Sequence, residues 1–174
     1  RNMIKISAII LAVALLGCDQ KTVHNALQMK DINALTEALE NGANPNELND
    51  AGYTPLYVAV LDNNADAVKV LLEHNAKVDI LSPDSLTPLH VAVTSQNTEI
   101  TELVLEYGAD INETYANGMT PLHVAVKSND VAMVQLLLGS GANYDIKDAD
   151  NKTVFNSVLS KALDARNPED PIVQ

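Results

Sequence analysis

The chain has no tryptophan, and with five tyrosines and one phenylalanine its aromatic content is only 3% of 174 residues. Positive charge is scarce as well: 11 lysines and arginines stand against 23 aspartates and glutamates, for a formal net charge of −12. Nucleic-acid binding rests on a basic footprint and on stacking platforms, so this composition excludes nucleic acid as a partner. A single cysteine, Cys18, excludes an internal disulfide. There is no glycine-rich phosphate cradle, no Gly-x-Ser-x-Gly elbow and no His-Glu-x-x-His. What the chain does have is 47% apolar residues, enough for one globular domain with a sizeable core.

The apolar run from Ile6 to Leu16 contains no charge and only Ser7 as a polar residue. Its eleven residues fall well short of the roughly 20 that span a bilayer as a helix. Preceded by Arg1 and Lys5 and closed by small residues, it has the pattern of a secretory signal. The run ends in Leu15-Leu16-Gly17-Cys18, which resembles the lipobox of bacterial lipoproteins. That resemblance implies a signal peptide over residues 1–17, lipidation of Cys18 and a short lipidated tether over 18–21. Asp19 resembles the signal that retains enterobacterial lipoproteins in the inner membrane, which implies the periplasmic face of that membrane in a Gram-negative source. Loss of Arg1 and Lys5 with the signal would leave 9 basic against 23 acidic residues, a charge of −14. The acyl anchor, not attraction to anionic headgroups, would then hold the protein at the bilayer.

The remainder is organised by a repeat. Thr54-Pro55-Leu56-Tyr57-Val58-Ala59-Val60 recurs as Thr87-Pro88-Leu89-His90-Val91-Ala92-Val93 and as Thr120-Pro121-Leu122-His123-Val124-Ala125-Val126, 33 residues apart each time. A second block keeps step with it: Asn41-Gly42-Ala43-Asn44, His74-Asn75-Ala76-Lys77, Tyr107-Gly108-Ala109-Asp110 and Ser140-Gly141-Ala142-Asn143. These two signatures identify the region as resembling the ankyrin repeat. The resemblance implies an all-α solenoid of stacked helix-turn-helix units joined by short β-hairpin loops. The domain is expected over residues 22–166, with units at about 22–48, 49–81, 82–114 and 115–147, a C-terminal half-repeat at 148–166 and a flexible tail at 167–174.

Each of Thr54, Thr87 and Thr120 is placed to cap a helix whose first position is a proline, Pro55, Pro88 or Pro121, where the missing N–H costs nothing. Second helices are expected from apolar residues at i, i+3, i+4 spacing, as in Ala67-Val68-x-Val70-Leu71-Leu72. Between the two helices the family usually has glycine, whereas this chain has Asn63, Gln96 and Asn129. A left-handed turn is less relaxed there, most of all at Gln96. After the second helices, Gly42, Gly108 and Gly141 suit the left-handed position, with Asn75 as the substitute.

Three of the four histidines, His24, His90 and His123, share one phase of the repeat. Equal phase sets them about one repeat apart, on the order of 10 Å, too far to converge on a metal or a substrate. The family resemblance gives this histidine a structural task, holding the threonine and the adjacent turn. A hydrolase or metal-binding enzyme built on His90 and His123 is the competing reading. His74 falls at a helix C-terminus, where a cation is mildly favoured. Asp145, Asp148 and Asp150, with Asn143 and Asn151, crowd the last loop but lack the glycine and terminal glutamate of a calcium loop. No cofactor, metal or catalytic residue is therefore expected.

Ankyrin-repeat proteins bind other proteins along the loop tips and the exposed side of the first helices. Just before each repeat threonine stand Tyr53, Leu86 and Met119, while Leu61, Leu81 and Tyr115 occupy neighbouring variable phases with Asp50, Asp62 and Asp84 around them. An apolar stripe with an acidic rim fits a protein-binding patch, unless these side chains fold back as local packing. The expected protein is a monomeric, non-enzymatic, lipid-anchored binding module of the bacterial envelope. It would act as an inhibitor or immunity protein, or as a scaffold for an envelope enzyme. Its partner would be a membrane-associated or periplasmic protein with a basic or apolar patch.

Overall fold

The computed structural model describes residues 21–156 and 158. The expected signal peptide, Cys18 and Asp19, and the expected tail at 167–174 lie outside the described residues. Eight α-helices follow in pairs: α1 Lys21–Met29 and α2 Ile32–Glu40, α3 Pro55–Leu61 and α4 Ala65–Glu73, α5 Pro88–Thr94 and α6 Thr98–Glu106, α7 Pro121–Lys127 and α8 Val131–Gly139. Residues 154–156 begin a further helix. Among the described residues there is no β-strand, so the fold is all-α, as the repeat signatures imply. No described helix is long and apolar enough to cross a membrane.

The threonines set where the first helices start. Thr54, Thr87 and Thr120 are extended residues whose hydroxyl oxygens accept from the backbone N–H three residues on, with proline in the first turn. The second helices start by a parallel device that the sequence reading passed over. Asp31, Asn64, Asn97 and Asp130 each accept, through Oδ1, the N–H of residues 34, 67, 100 and 133, at 3.0–3.1 Å. Such caps are typically worth about 1 kcal/mol each. The signal was present as an aspartate or asparagine at a 33-residue phase just before each second helix.

Between the helices of each pair, Lys30, Asn63, Gln96 and Asn129 adopt φ values of 55°, 53°, 56° and 56°. The chain thus reverses at a residue with a side chain where glycine would be relaxed.

Packing then assembles two rows. The first helices α1, α3, α5 and α7 contact one another in that order, and so do α2, α4, α6 and α8. Core residues lie between the rows: Leu35, Leu56, Leu71, Leu89, Ile100, Leu122, Met133 and Leu137 are all essentially inaccessible. Each such side chain contributes about 1.5–3 kcal/mol by leaving water. Thr101 occupies the core phase held elsewhere by Val68, and its hydroxyl is satisfied by donating to the Asn97 carbonyl at 2.8 Å. The residue keeps a valine-like shape without an unpaired polar group.

The loops between units are tight turns rather than ladders. Each is closed by one cross-loop bond and one turn bond, as in Asn49 N–H to Tyr53 O (3.0 Å) and Gly52 N–H to Asn49 O (2.9 Å), with equivalents at Ser82, Tyr115 and Asp148. An isolated antiparallel bridge, Tyr115 with Met119, is the nearest approach to a hairpin strand pair among the described residues. In three loops the side chain of Asn49, Ser82 or Asp148 also accepts the N–H of the residue four positions on. Tyr115 cannot do so, and that loop instead forms a 3-10 turn over Ala116–Gly118 with Asn117 left-handed at φ 66°. The Asn117 carbonyl accepts the Ala149 N–H of the next loop at 2.7 Å, and a Cβ on Gly118 would stand only 3.2 Å from that nitrogen.

Replacement of Gln96 by glycine removes a left-handed strain of about 1–2 kcal/mol and adds unfolded-state freedom of about 0.5–1 kcal/mol. Gln96→Gly is therefore expected to raise the urea midpoint by an amount equivalent to roughly 0.5–1 kcal/mol, and Gln96→Val to lower it.

Candidate protein-docking face

First helices are linked to the backbone at the neighbouring loops by histidine side chains. His90 is buried, and its Nδ1 accepts the Thr87 N–H at 3.2 Å and lies 2.8 Å from the Thr87 hydroxyl. A nitrogen that accepts from a backbone N–H carries no proton, so the other nitrogen, Nε2, is the donor and reaches the Glu113 carbonyl at 3.0 Å. His123 repeats the arrangement with Thr120 (2.8 Å) and the Lys152 carbonyl (3.3 Å). His24 Nε2 lies 2.8 Å from the Glu47 carbonyl. His24 and His90 thus tie their first helices to the backbone entering the next loop, whereas His123 reaches Lys152, the residue at the far side of the loop that begins at Asp148.

With Nδ1 and Nε2 both engaged, neither His90 nor His123 has a lone pair left for a metal or for proton abstraction. Among the described residues no group of three His, Cys, Asp or Glu side chains is placed to hold a metal ion. His74, the residue capping α4, has Nδ1 2.8 Å from the Val70 carbonyl. The carboxylate of Asp148 accepts from the N–H groups of Asp150 and Lys152, and Asn143 accepts from Asp145, so these polar groups serve the turn itself.

In the second unit Tyr57 replaces the histidine, and a different link takes over. The Tyr53 ring stacks on Tyr57 with centroids 5.0 Å apart and planes at 18°. Its hydroxyl donates to Asp84 Oδ2 at 3.2 Å, bridging two loops. That bond and the adjacent carboxylate charge raise the Tyr53 pKa above the usual tyrosine value. Tyr115 packs its ring 4.6 Å from that of His90, and burial raises its pKa. Leu86, like Tyr53, is half-buried against the core, and Met119 is half-buried in its loop. The six residues expected at a binding patch therefore divide: Tyr53, Leu86, Tyr115 and Met119 are half-buried, while Leu61 and Leu81 are more than half exposed.

Leu48 is also more than half exposed and precedes Leu81 by one 33-residue period. Sequence reading missed it although the Asn41-Gly42-Ala43-Asn44 block, in step with His74-Asn75-Ala76-Lys77, already sets the register that pairs Leu48 with Leu81. Leu48 and Leu81 thus form an apolar pair at equal phase on successive units, just ahead of the loops that begin at Asn49 and Ser82. The row of second helices has a different character. A hollow of about 480 Å³ between α4 and α6 is lined by Asp66, Glu99, Glu102 and Glu106, with Lys69 and Tyr107 among its walls.

Comparison with known proteins agrees with this geometry. A family model described as "Ankyrin repeats (3 copies)" matches residues 23–115 and 81–148. An ankyrin repeat protein of fowlpox virus (strain NVSL) is 54% identical over 39 residues, which cover 22% of this chain and 6% of that protein. The chain accordingly spans only a small part of the length of that relative.

Burial lowers the pKa of His90 below its ordinary value of 6.5, against an opposing pull from the Glu113 carbonyl and charge. The unfolded chain therefore binds a proton before the folded one does. The contribution of His90 is complete above about pH 6.5 and is lost as pH falls below it towards the depressed folded value. Urea midpoints measured from pH 8 down to pH 5 should fall in that window. A His90→Asn variant should be less stable by about 1–3 kcal/mol at pH 7.5, because the Glu113 carbonyl loses its partner, and should show a shallower pH dependence.

Proposed function

The chain belongs to the ankyrin-repeat family, and we propose that it is a non-enzymatic protein-binding module held by a lipid at the periplasmic face of a bacterial inner membrane. The observation that carries the binding role is the exposed leucine set Leu48, Leu61 and Leu81, beside the acidic side chains Asp50, Asp62 and Asp84. Apolar groups exposed on a scaffold held by buried histidine bonds lose little order on docking, which favours binding by a rigid surface. The acidic rim favours a partner with a basic edge around an apolar centre.

Lipid attachment is supported by the sequence of Leu15-Leu16-Gly17-Cys18 after the apolar run, and retention by Asp19. Cys18 precedes Lys21, the first residue of α1, by three positions, a span of at most about 11 Å when extended. The first unit would then stay next to the bilayer, and a partner would be membrane-associated or approach the membrane. Covering a basic active-site rim, as an inhibitor or immunity protein does, and supporting an envelope enzyme as a scaffold are the two forms this role takes.

The test is capture from envelope extracts with the wild type and a Leu48→Ser/Leu61→Ser/Leu81→Ser variant. Since all three side chains face water, the thermal midpoint should move by less than a few degrees while recovery of the specific partner falls at least tenfold. Full recovery by the variant would remove this face from consideration. In the same cells, Cys18→Ser should abolish labelling by a fatty-acid analogue and leave the chain unprocessed; labelling that persists would exclude Cys18 as the lipid site.

A further inference from the structure

Asparagine is followed by glycine at two places, Asn41-Gly42 and Asn117-Gly118. The pair carries a chemistry of its own. Glycine has no Cβ to keep its backbone nitrogen away from the preceding side chain, so that nitrogen can attack the asparagine amide carbon. In both pairs the glycine N–H is bonded, from Gly42 to the Leu39 carbonyl at 3.0 Å and from Gly118 to the Tyr115 carbonyl at 2.8 Å. The nitrogen must give up that bond before it can attack, so the fold decides which pair reacts: the one whose backbone opens more readily.

Asn41-Gly42 is held by a helix end. Asn41 caps α2 with its N–H bonded to the Glu37 and Leu39 carbonyls, and the Ala43 N–H just past the glycine bonds to the carbonyl of buried Ala38 at 3.0 Å. Opening that pair unwinds the last turn of α2. Asn117, by contrast, is exposed at a loop tip and already left-handed at φ 66°, and among the described residues no hydrogen bond holds its side-chain amide. Its loop is also the weakest closed of the four. Those that begin at Asn49, Ser82 and Asp148 gain a third bond from the N–H four residues on to the first side chain, a bond that Tyr115 has no means to accept.

We propose that Asn117 is a modification site, converted by water without an enzyme to aspartate and isoaspartate, and that the conversion unfastens its loop from the next one. The Gly118 nitrogen, its proton taken by water, attacks Asn117 Cγ, and the side-chain nitrogen takes up a proton and leaves as ammonia. A cyclic succinimide remains. Water then opens the ring: cleavage between the nitrogen and Cγ gives aspartate, and cleavage between the nitrogen and the backbone carbonyl carbon gives isoaspartate. One water is consumed and one ammonia released, with no change of oxidation state. Both products place a carboxylate where two loops meet. The Asn117 carbonyl accepts the Ala149 N–H at 2.7 Å, and a Cβ on Gly118 would lie 3.4–3.5 Å from the Asp148 backbone. The new charge stands beside a loop that already carries Asp148 and Asp150, and like charges oppose the contact. In isoaspartate the main chain is also longer by a methylene, and the group that accepted the Ala149 N–H is no longer part of it. The bond joining the two loops is then lost.

Prolonged incubation of the folded full chain, followed by peptide mass analysis and by labelling with an isoaspartyl methyltransferase, tests it. The peptide holding Asn117 should gain acid at least tenfold faster than the one holding Asn41, and should take the label. In guanidinium chloride the two rates should converge, because the unfolded chain leaves both pairs only their shared local chemistry. A smaller preference in the folded chain, or one of the same size in denaturant, overturns the inference. So does an Asn117 amide that stays intact in the folded chain while the denatured chain converts. Separated by ion exchange, the modified chain should exchange the Ala149 amide hydrogen at least tenfold faster than the intact chain, whereas equal protection overturns the loss of the contact.

Discussion

Every unit of this structure depends on burying its apolar face against the next, because a pair of helices of seven to nine residues encloses too little on its own. An isolated helix of that length is unstable in water. Leu56, Leu89 and Leu122 on one row and Leu71, Val104 and Leu137 on the other become inaccessible only because both rows run side by side. The constraint explains the economy of the local sequence. Short helices need firm starts, and threonine with proline in one row and asparagine or aspartate in the other supply them.

Hydrogen bonds then fix what packing alone would leave loose. Apolar contacts are non-directional and tolerate sliding, whereas the bond from His90 Nε2 to the Glu113 carbonyl has a length and an angle to satisfy. The same holds for the Asn46 and Asn112 side chains, whose Oδ1 atoms accept the N–H groups of Lys77 and Asn143, one unit on, at 2.7 and 2.8 Å. Where Tyr57 removes the histidine, the Tyr53 stack and its bond to Asp84 join the loops by another route. Loop tips are thereby held by the same groups that register the stack.

The first and last described units differ from the middle ones in that each meets a described neighbour on one side only. At the first end, α1 lacks the Thr-Pro start of the later units yet buries Val23, Ala26 and Leu27. At the other, α8 keeps an apolar outward side and Phe155 stands in water. Residue type does not account for that exposure, since leucine is buried at the phase of Phe155 in the earlier units.

The 33-residue period, the threonine and proline starts and the glycine or asparagine turns at Gly42, Asn75, Gly108 and Gly141 are local properties of the chain, and the fold class was legible in them. Local chemistry decides such features, because an N-cap or a left-handed turn depends on a few consecutive residues. The caps at Asp31, Asn64, Asn97 and Asp130 were equally local and readable, though masked by the longer motif. The fates of the candidate patch were not local. Tyr53 and Leu61 read alike in sequence as large groups at variable phases, but Tyr53 meets Tyr57 and Asp84 while Leu61 meets solvent. Which carbonyl faces His90 Nε2, 23 residues away, was likewise beyond the reach of pattern. The sequence by itself determined the repeat, its helices and their caps; the tertiary structure alone decided which apolar side chains the neighbouring unit covers, because exposure depends on what lies across the gap and not on the residue that faces it.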